Sequence, residues 1–423
     1  MPTQFLSSDN TLTRKAARYE VGMLADQLTP GGSLTDAFGR LRISTPFTVF
    51  DSQHRYVDNG KWDTVTANDG SIAHVAAESV INLSVTPTTN SEVIRETRRV
   101  MPYQPGKSLL IMSTFAMANP TLNLRQRVGY YGNDNGIFFE NDGEFNYIVL
   151  RTASLATSEI RIRQDEWNGD RFDGSGYSGR TLDVSKTQIF WIDIEWLGVG
   201  DVRCGFVTDG KPVVSHTFHN DGIRTTTYMT TACLPLRYEI KNLGNASGTM
   251  KQICSTVISE GGYEQSTRQW AATRTAAIAS VPVATGWAPV VSIRLAAGRT
   301  DGIVLPSQIH IVGDGNGSTY EYALIRNATI IGGSWVTHAS STGVEYNITS
   351  TGLTGGSVEE SGIFTNSNQS SAIVNENLEY RFDHQLGRAM SGGVVVSDTL
   401  TLAARHLAVG GNVYGTLNWN AII

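Results

Sequence analysis

Cysteine is scarce in this chain: Cys204, Cys233 and Cys254 are the only three in 423 residues. Three so scattered make neither a disulfide framework nor a CxxC metal site, and they are expected as small, reduced, buried side chains. Charge is scarce too, at 17 % Asp, Glu, Lys and Arg, below the ~25 % of an average soluble protein. The net charge of −6 provides no basic field for nucleic acid or an anionic membrane. No run approaches the ~18 apolar residues of a membrane span, and the opening MPTQFLSSDNTLTRK lacks the apolar centre of a signal peptide. The chain is therefore expected to be made in a cytoplasm and not to insert in a membrane. G-x-S-x-G, P-loop and H-E-x-x-H patterns are missing, so no catalytic residue, metal or cofactor is expected. Nor is there a repeat of 20–50 residues, which excludes a solenoid or propeller.

Glycine is plentiful, 43 residues of 423, against a usual share of about 7 %. Ser, Thr and Asn are also frequent, and the 40 % apolar content argues against disorder. That mixture fits short strands joined by tight turns, and the expected fold class is all-β: two β-sandwich or jelly-roll-like domains behind a short helical or extended N-terminal arm. The arm is assigned to 1–33, where Leu12, Ala16, Tyr19 and Met23 make one modest helical stripe that TPGGS ends. A lectin-like sandwich follows over 34–262. A polar, alanine-containing stretch, 263–285, reads as a linker, and a second sandwich occupies 286–423. In the first sandwich GIFFENDGEFNYIVLRT (136–152) reads as a hairpin turning at Asn141-Asp142-Gly143, with glycine where positive φ is needed. EWNGDRFDGSGYSG (166–179) is a polar loop of 14 residues, long enough to suspect function.

FWIDIEWLGVGDVRCGFVTDGK (190–211) draws attention because Asp193 and Glu195 lie between Trp191 and Trp196. Alternate strand residues share a face, so Phe190, Ile192, Ile194 and Trp196 point one way and Trp191, Asp193 and Glu195 the other. Matching the apolar faces of 190–196 and 202–206 across a five-residue connection places Glu195 opposite Arg203 as a cross-strand ion pair. The stretch is similar over three positions to a β-sandwich glycosidase pattern, Glu-x-Asp-x-Glu. Trp191 stands where that family keeps its nucleophile, and tryptophan cannot attack an anomeric carbon. Sugar binding without cleavage is the alternative at this site: Trp191 stacks a pyranose while Asp193 and Glu195 hold its hydroxyls, with loop 166–179 beside them. His216 and His219, spaced H-x-x-H, fall on opposite strand faces and read as solvated. YGNDNG (131–136) and GDGNGS (313–318) lack the EF-hand order and read as turns.

Several longer strings resemble a family of tailed-bacteriophage virion structural proteins: LTDAFGRLRISTPFTVFDS (34–52), MPYQPGKS (101–108), GYYGNDNGIFFENDG (129–143), SKTQIFWIDIEWLGVGDVRCGFVTDGK (185–211), ICSTVISEGGYE (253–264) and LTLAARHLAVGGNVYGTLNWN (400–420). The resemblance implies a non-enzymatic structural component of the phage particle, made in the host bacterial cytoplasm and located in the virion. It brings no catalytic residues with it. A tail fibre, collar or baseplate protein is the expectation, with capsid-surface decoration or a lectin-like module for a host-surface glycan as alternatives. Low charge and flat β faces suit a closed homo-oligomer, expected as a trimer, whose arm contacts other virion proteins.

Overall fold

Alternating and fully apolar runs become strands, and the glycine- and asparagine-rich joints between them turn the chain. The computed structural model describes residues 44–264, 268–314, 317–367, 370–371, 374–377, 384–391 and 394–422; the expected arm, 1–33, lies outside them. Among the described residues the fold is all-β, with short 3-10 turns such as Gln164–Glu166.

Two sheets built from residues 47–259 face each other. The first, the hairpin sheet, runs Lys211–Phe218, Val202–Thr208, Gln188–Ile194, Leu109–Ala116, Gly248–Ser259, Val80–Val85 and Ser71–Val75, with Phe47–Ser52 also paired to Gly248–Ser259. The second, the ladder sheet, runs Glu159–Arg163, Asn146–Arg151, Gly136–Asn141, Leu124–Tyr131, Leu236–Asn242, Glu92–Thr97 and Trp62–Ala67. Their inner faces meet through Phe115, Phe190 and Phe206 on one side and Phe139 and Tyr238 on the other. Phe139 stands edge-on to Phe206, ring centres 5.2 Å apart at 89°, and 5.8 Å from Phe190. Edge-to-face contact suits the ring quadrupoles, and burying each such ring contributes roughly 1.5–3 kcal/mol.

A second pair of sheets is built from residues 269–422. Gln269–Ala279, Asn412–Ile422, Ile303–Gly313 and Val374–Asn377 form one. Val336–His338, Ser341–Asn347, Ala288–Leu295, Thr399–His406, Thr319–Arg326, Ser357–Ser367 and Ser370–Ser371 form the other. Val290, Leu402, Tyr320, Ile309, Leu417 and Trp419 fill the space between. The expected linker 263–285 is corrected here, because Gln269–Ala279 is an 11-residue strand paired with Asn412–Ile422. Its inward positions include Arg274, whose guanidinium donates to the carbonyls of Pro289 (3.1 Å) and Ser350 (2.8 Å). A cation on the core side breaks the apolar alternation by which a strand is recognised.

No described sheet mixes strands of the two halves, yet Pro46–Ile423 forms one compact unit. Arg98 is paired with Asp398 (2.7 Å) and Arg388 with Glu96 (3.5 Å). The amide of Gln385 donates to the Val100 carbonyl (2.9 Å), and the backbone N–H of Arg388 donates to that of Arg98 (2.6 Å). Val100 packs with Ile303 and Leu305 beside these bonds. Charged groups, backbone and apolar side chains all cross the same junction.

Candidate functional site

The 190–211 hairpin forms with its faces as the alternation predicts and its register shifted by two. Phe190 pairs with Phe206, Ile192 with Cys204 and Ile194 with Val202, so Asp193 and not Glu195 lies opposite Arg203. The connection is longer than five residues because Leu197 (φ 37°) and Gly198 (φ 83°) turn in the left-handed region. The turn closes through Gly200 N–H to the Trp196 carbonyl (2.8 Å). A two-residue shift keeps every side chain on its face, so burial is satisfied equally in both registers.

This placement removes the sugar platform. Trp191 sits between Met112 and Gly205 of the neighbouring strands and is only 5 % exposed. Asp193 is 8 % exposed and ion-paired with Arg203. Glu195 lies beyond the strand end and is exposed. The three residues share a face direction, but with the indole buried a pyranose finds no ring to stack on at Trp191.

His216 is buried rather than solvated, and burial, with His219 nearby, lowers its pKa to about 4. His219 is exposed and lies 2.8 Å from Asp201. Cys204 is buried as expected, whereas Cys254 is exposed. Asn135 of YGNDNG works as a structural bracket: its side chain accepts from Ala153 N–H (3.2 Å) and Thr230 N–H (3.0 Å) and donates to the Thr230 hydroxyl (2.7 Å).

A dense concentration of charge lies on the outer face of the ladder sheet. Pairing sets Arg163, Tyr147, Glu140, Arg127 and Glu239 in one row across five strands. A second row runs Arg161, Val149, Phe138, Gly129, Arg237 and Glu96. Glu140 is fully buried between Arg127 and Arg161. Glu239 contacts Arg125 (2.7 Å), Arg237 (3.1 Å) and Arg127 (3.6 Å). Burial pushes the Glu239 carboxyl up, but Arg237, Arg127 and Arg125 together outweigh that and hold it at about 2. The outward rings of Tyr131 and Phe138, 4.4 Å apart, are covered by guanidinium groups: Arg127 and Arg151 lie 5.0 Å from Phe138, and Arg237 lies 5.3 Å from Tyr131. Side chains at charged positions thus make a second, polar core. Glu239, clamped by cations in this way, does not exchange protons near neutrality.

At the edge of that face two loops flank an open cleft of about 430 Å³. One is the predicted 136–152 hairpin, whose turn falls after Asn141: Gly143 has φ 101° and donates its N–H to the Asn141 side chain (3.1 Å), while Asp142 accepts from Phe145 N–H (2.9 Å). The other is the long polar loop, and it is built rather than slack. Asp170, fully buried, accepts from the N–H groups of Phe172 (2.8 Å) and Ser178 (2.6 Å). Gly174 N–H donates to the Arg180 carbonyl (3.0 Å) and Leu182 N–H to that of Phe172 (2.8 Å). Phe145 stands at the cleft mouth with the Arg163 guanidinium 4.9 Å from its ring, and Arg163 in turn is paired with Asp165. Asp165 is held low by its hydrogen bond from Arg163, and Asp173 by the Ser175 hydroxyl and N–H. The sequence marks both loops but not their meeting, since the expected sugar site places 166–179 beside Trp191.

No protein-family model matches the sequence, and no curated protein does either. Among solved structures, the CBM2 module of the evolved Dit of Lactobacillus casei BL23 phage J-1 is similar at 6 % identity and a TM-score of 0.37, over 53 % of this chain and 100 % of that one. A conserved carbohydrate esterase from Shiga toxin-encoding bacteriophage phi24B is similar at 10 % identity and 0.33, over 51 % and 100 %. Peanut lectin is similar at 9 % identity and 0.32, over 51 % and 98 %. Likeness at these scores carries no functional argument.

Proposed function

We infer that the chain is a structural component of a tailed-phage virion, in a tail fibre, collar or baseplate, acting by assembly contacts and not by catalysis. The observation that supports this most is where the virion-like strings fall. SKTQIFWIDIEWLGVGDVRCGFVTDGK supplies two adjacent strands of the hairpin sheet, and ICSTVISEGGYE supplies half of Gly248–Ser259 in the same sheet. LTLAARHLAVGGNVYGTLNWN supplies Thr399–His406 and Asn412–Ile422, interior strands of both sheets in the second sandwich. A resemblance spread through the framework of both sandwiches is a resemblance of construction. The Glu239 clamp of the ladder sheet favours the same reading, because this carboxyl is held low by three guanidinium groups and is poorly suited to general acid–base work. In this reading the chain forms a closed homo-oligomer, a trimer, and the arm 1–33 fastens it to neighbouring virion proteins.

Purified particles probed with an antibody to this chain test the assignment: labelling at the tail, collar or baseplate is expected. Labelling over the whole capsid shell would favour decoration, and unlabelled particles would overturn the virion reading. Deleting 1–33 should leave a folded protein that no longer enters particles, and normal incorporation would refute the anchoring role.

A further inference from the structure

We propose that the cleft between the 142–145 turn and the 170–182 loop binds an uncharged, hexose-based glycan, with Phe145 as the stacking ring and Asp173, Glu144 and Thr181 as hydroxyl partners. The inference stands apart from the virion reading, since it concerns what the folded protein binds wherever it resides.

Phe145 is 46 % exposed although it flanks a well-packed sheet. Its backbone is pinned by Asp142, and Arg163, itself paired with Asp165, lies against the ring. A phenylalanine has only two rotatable side-chain bonds, and on a pinned backbone it loses little freedom when the C–H face of a sugar covers it. The polar groups around it are unequal in what they have left to offer. Asp173, which lines the cleft, takes both bonds from Ser175 on Oδ1, so its second carboxylate oxygen is not used by Ser175. The Glu144 carboxylate and Thr181 hydroxyl are exposed and line the same space. Ionised carboxylates accept short, strong bonds from sugar hydroxyls, and Asp173 is kept ionised by Ser175.

Charge narrows the ligand class. Glu144, Asp165 and Asp173 line the cleft with Arg163, and Arg171 acts on both aspartates from beside it, so the balance stays acidic and disfavours a sulfated, phosphorylated or sialylated chain over a neutral one. The cleft volume of about 430 Å³ falls within the usual range of small-ligand sites, ~300–1,000 Å³. The loop's internal bonds through Asp170, Gly174 and Leu182 hold Asp173 and Thr181 in place before any ligand arrives.

The test is an array carrying neutral hexose oligosaccharides beside sialylated and sulfated ones, probed with the full chain and with Phe145→Ala, Asp173→Ala and Glu195→Gln. Binding to neutral oligosaccharides is expected, about tenfold weaker or worse in the first two variants. Glu195→Gln, outside the cleft, should match the wild type. Phe145 and Asp173 are exposed, so unchanged circular dichroism should accompany the loss. An empty array, a preference for anionic glycans, or equal binding by all four proteins would overturn the proposal.

Discussion

Replacing Glu239 with glutamine should cost the first sandwich about 3 kcal/mol at pH 7 and almost nothing at pH 2. The magnitude follows from the clamp. Burial opposes the charge on Glu239, but Arg237, Arg127 and Arg125 reverse the balance and bring the carboxyl from 4.5 to about 2. That gap, at about 1.4 kcal/mol per pH unit, corresponds to roughly 3 kcal/mol held by the ionised form. Breaking a buried ion pair from one side costs a comparable ~3–5 kcal/mol. Because the folded value is depressed, this stability is fully present above about pH 4.5 and is lost as the pH falls towards 2. Glutamine keeps the shape without the charge, so it mimics the protonated acid at every pH. Urea unfolding of both proteins at a series of pH values measures the difference, and hydrogen exchange in Leu124–Tyr131 and Leu236–Asn242 localises it. A difference that stays constant between pH 7 and pH 3 would mean that packing, not charge, holds the position. A loss below about 1 kcal/mol at pH 7 would mean that the clamp behaves as a solvated surface pair.

Trp191→Ala should destabilise the protein by about 3–5 kcal/mol, the usual cost of removing a large buried ring, while leaving glycan-array binding unchanged. An unaltered melting temperature would show that the indole is not packed. Asp398→Ala takes a buried carboxylate away from Arg98 (2.7 Å) and Arg326 (3.1 Å), at a cost of about 3–5 kcal/mol. Hydrogen exchange should then rise on both sides of the junction, around Arg98–Met101 and around His384–Arg388. A rise on one side alone would refute the coupling of the two sandwiches through this residue.

The hairpin at 190–206 shows how far alternation carries. Which residues point inward was legible, since a core accepts Phe190, Ile192 and Ile194 and rejects Asp193. Which residue faces which was not, because shifting by two preserves every face and only the conformations of Leu197 and Gly198 decide between registers. Gln269–Ala279 failed for a different reason. Its exposed face is small, with Ala271, Thr273 and Thr275, and its buried face carries Arg274 bound to two carbonyls, so neither side displays the apolar stripe that marks a strand. In the ladder sheet the charged residues alternate visibly, as in Arg125-x-Arg127 and Arg237-x-Glu239. Their partners come from distant strands, as Glu239 does for Arg125 from 114 residues away, and strand order is what brings them together.

The same distinction separates the Trp191 strand face from the cleft at Phe145. Trp191, Asp193 and Glu195 were gathered because they are neighbours in sequence on one strand face, where burial by the adjoining strands is the rule for an indole. Phe145, Asp173 and Thr181 are gathered by topology, from a turn and a loop that the sheet order places at one edge. Exposure of Phe145 then has an explanation that exposure of a strand residue rarely has. The turn 142–145 is already satisfied by Asn141 and Asp142, so the fold has no need of the ring elsewhere. A loop aromatic that the turn does not require, set beside the carboxylates of Glu144 and Asp173 in one cleft, is where the proposed glycan would be read.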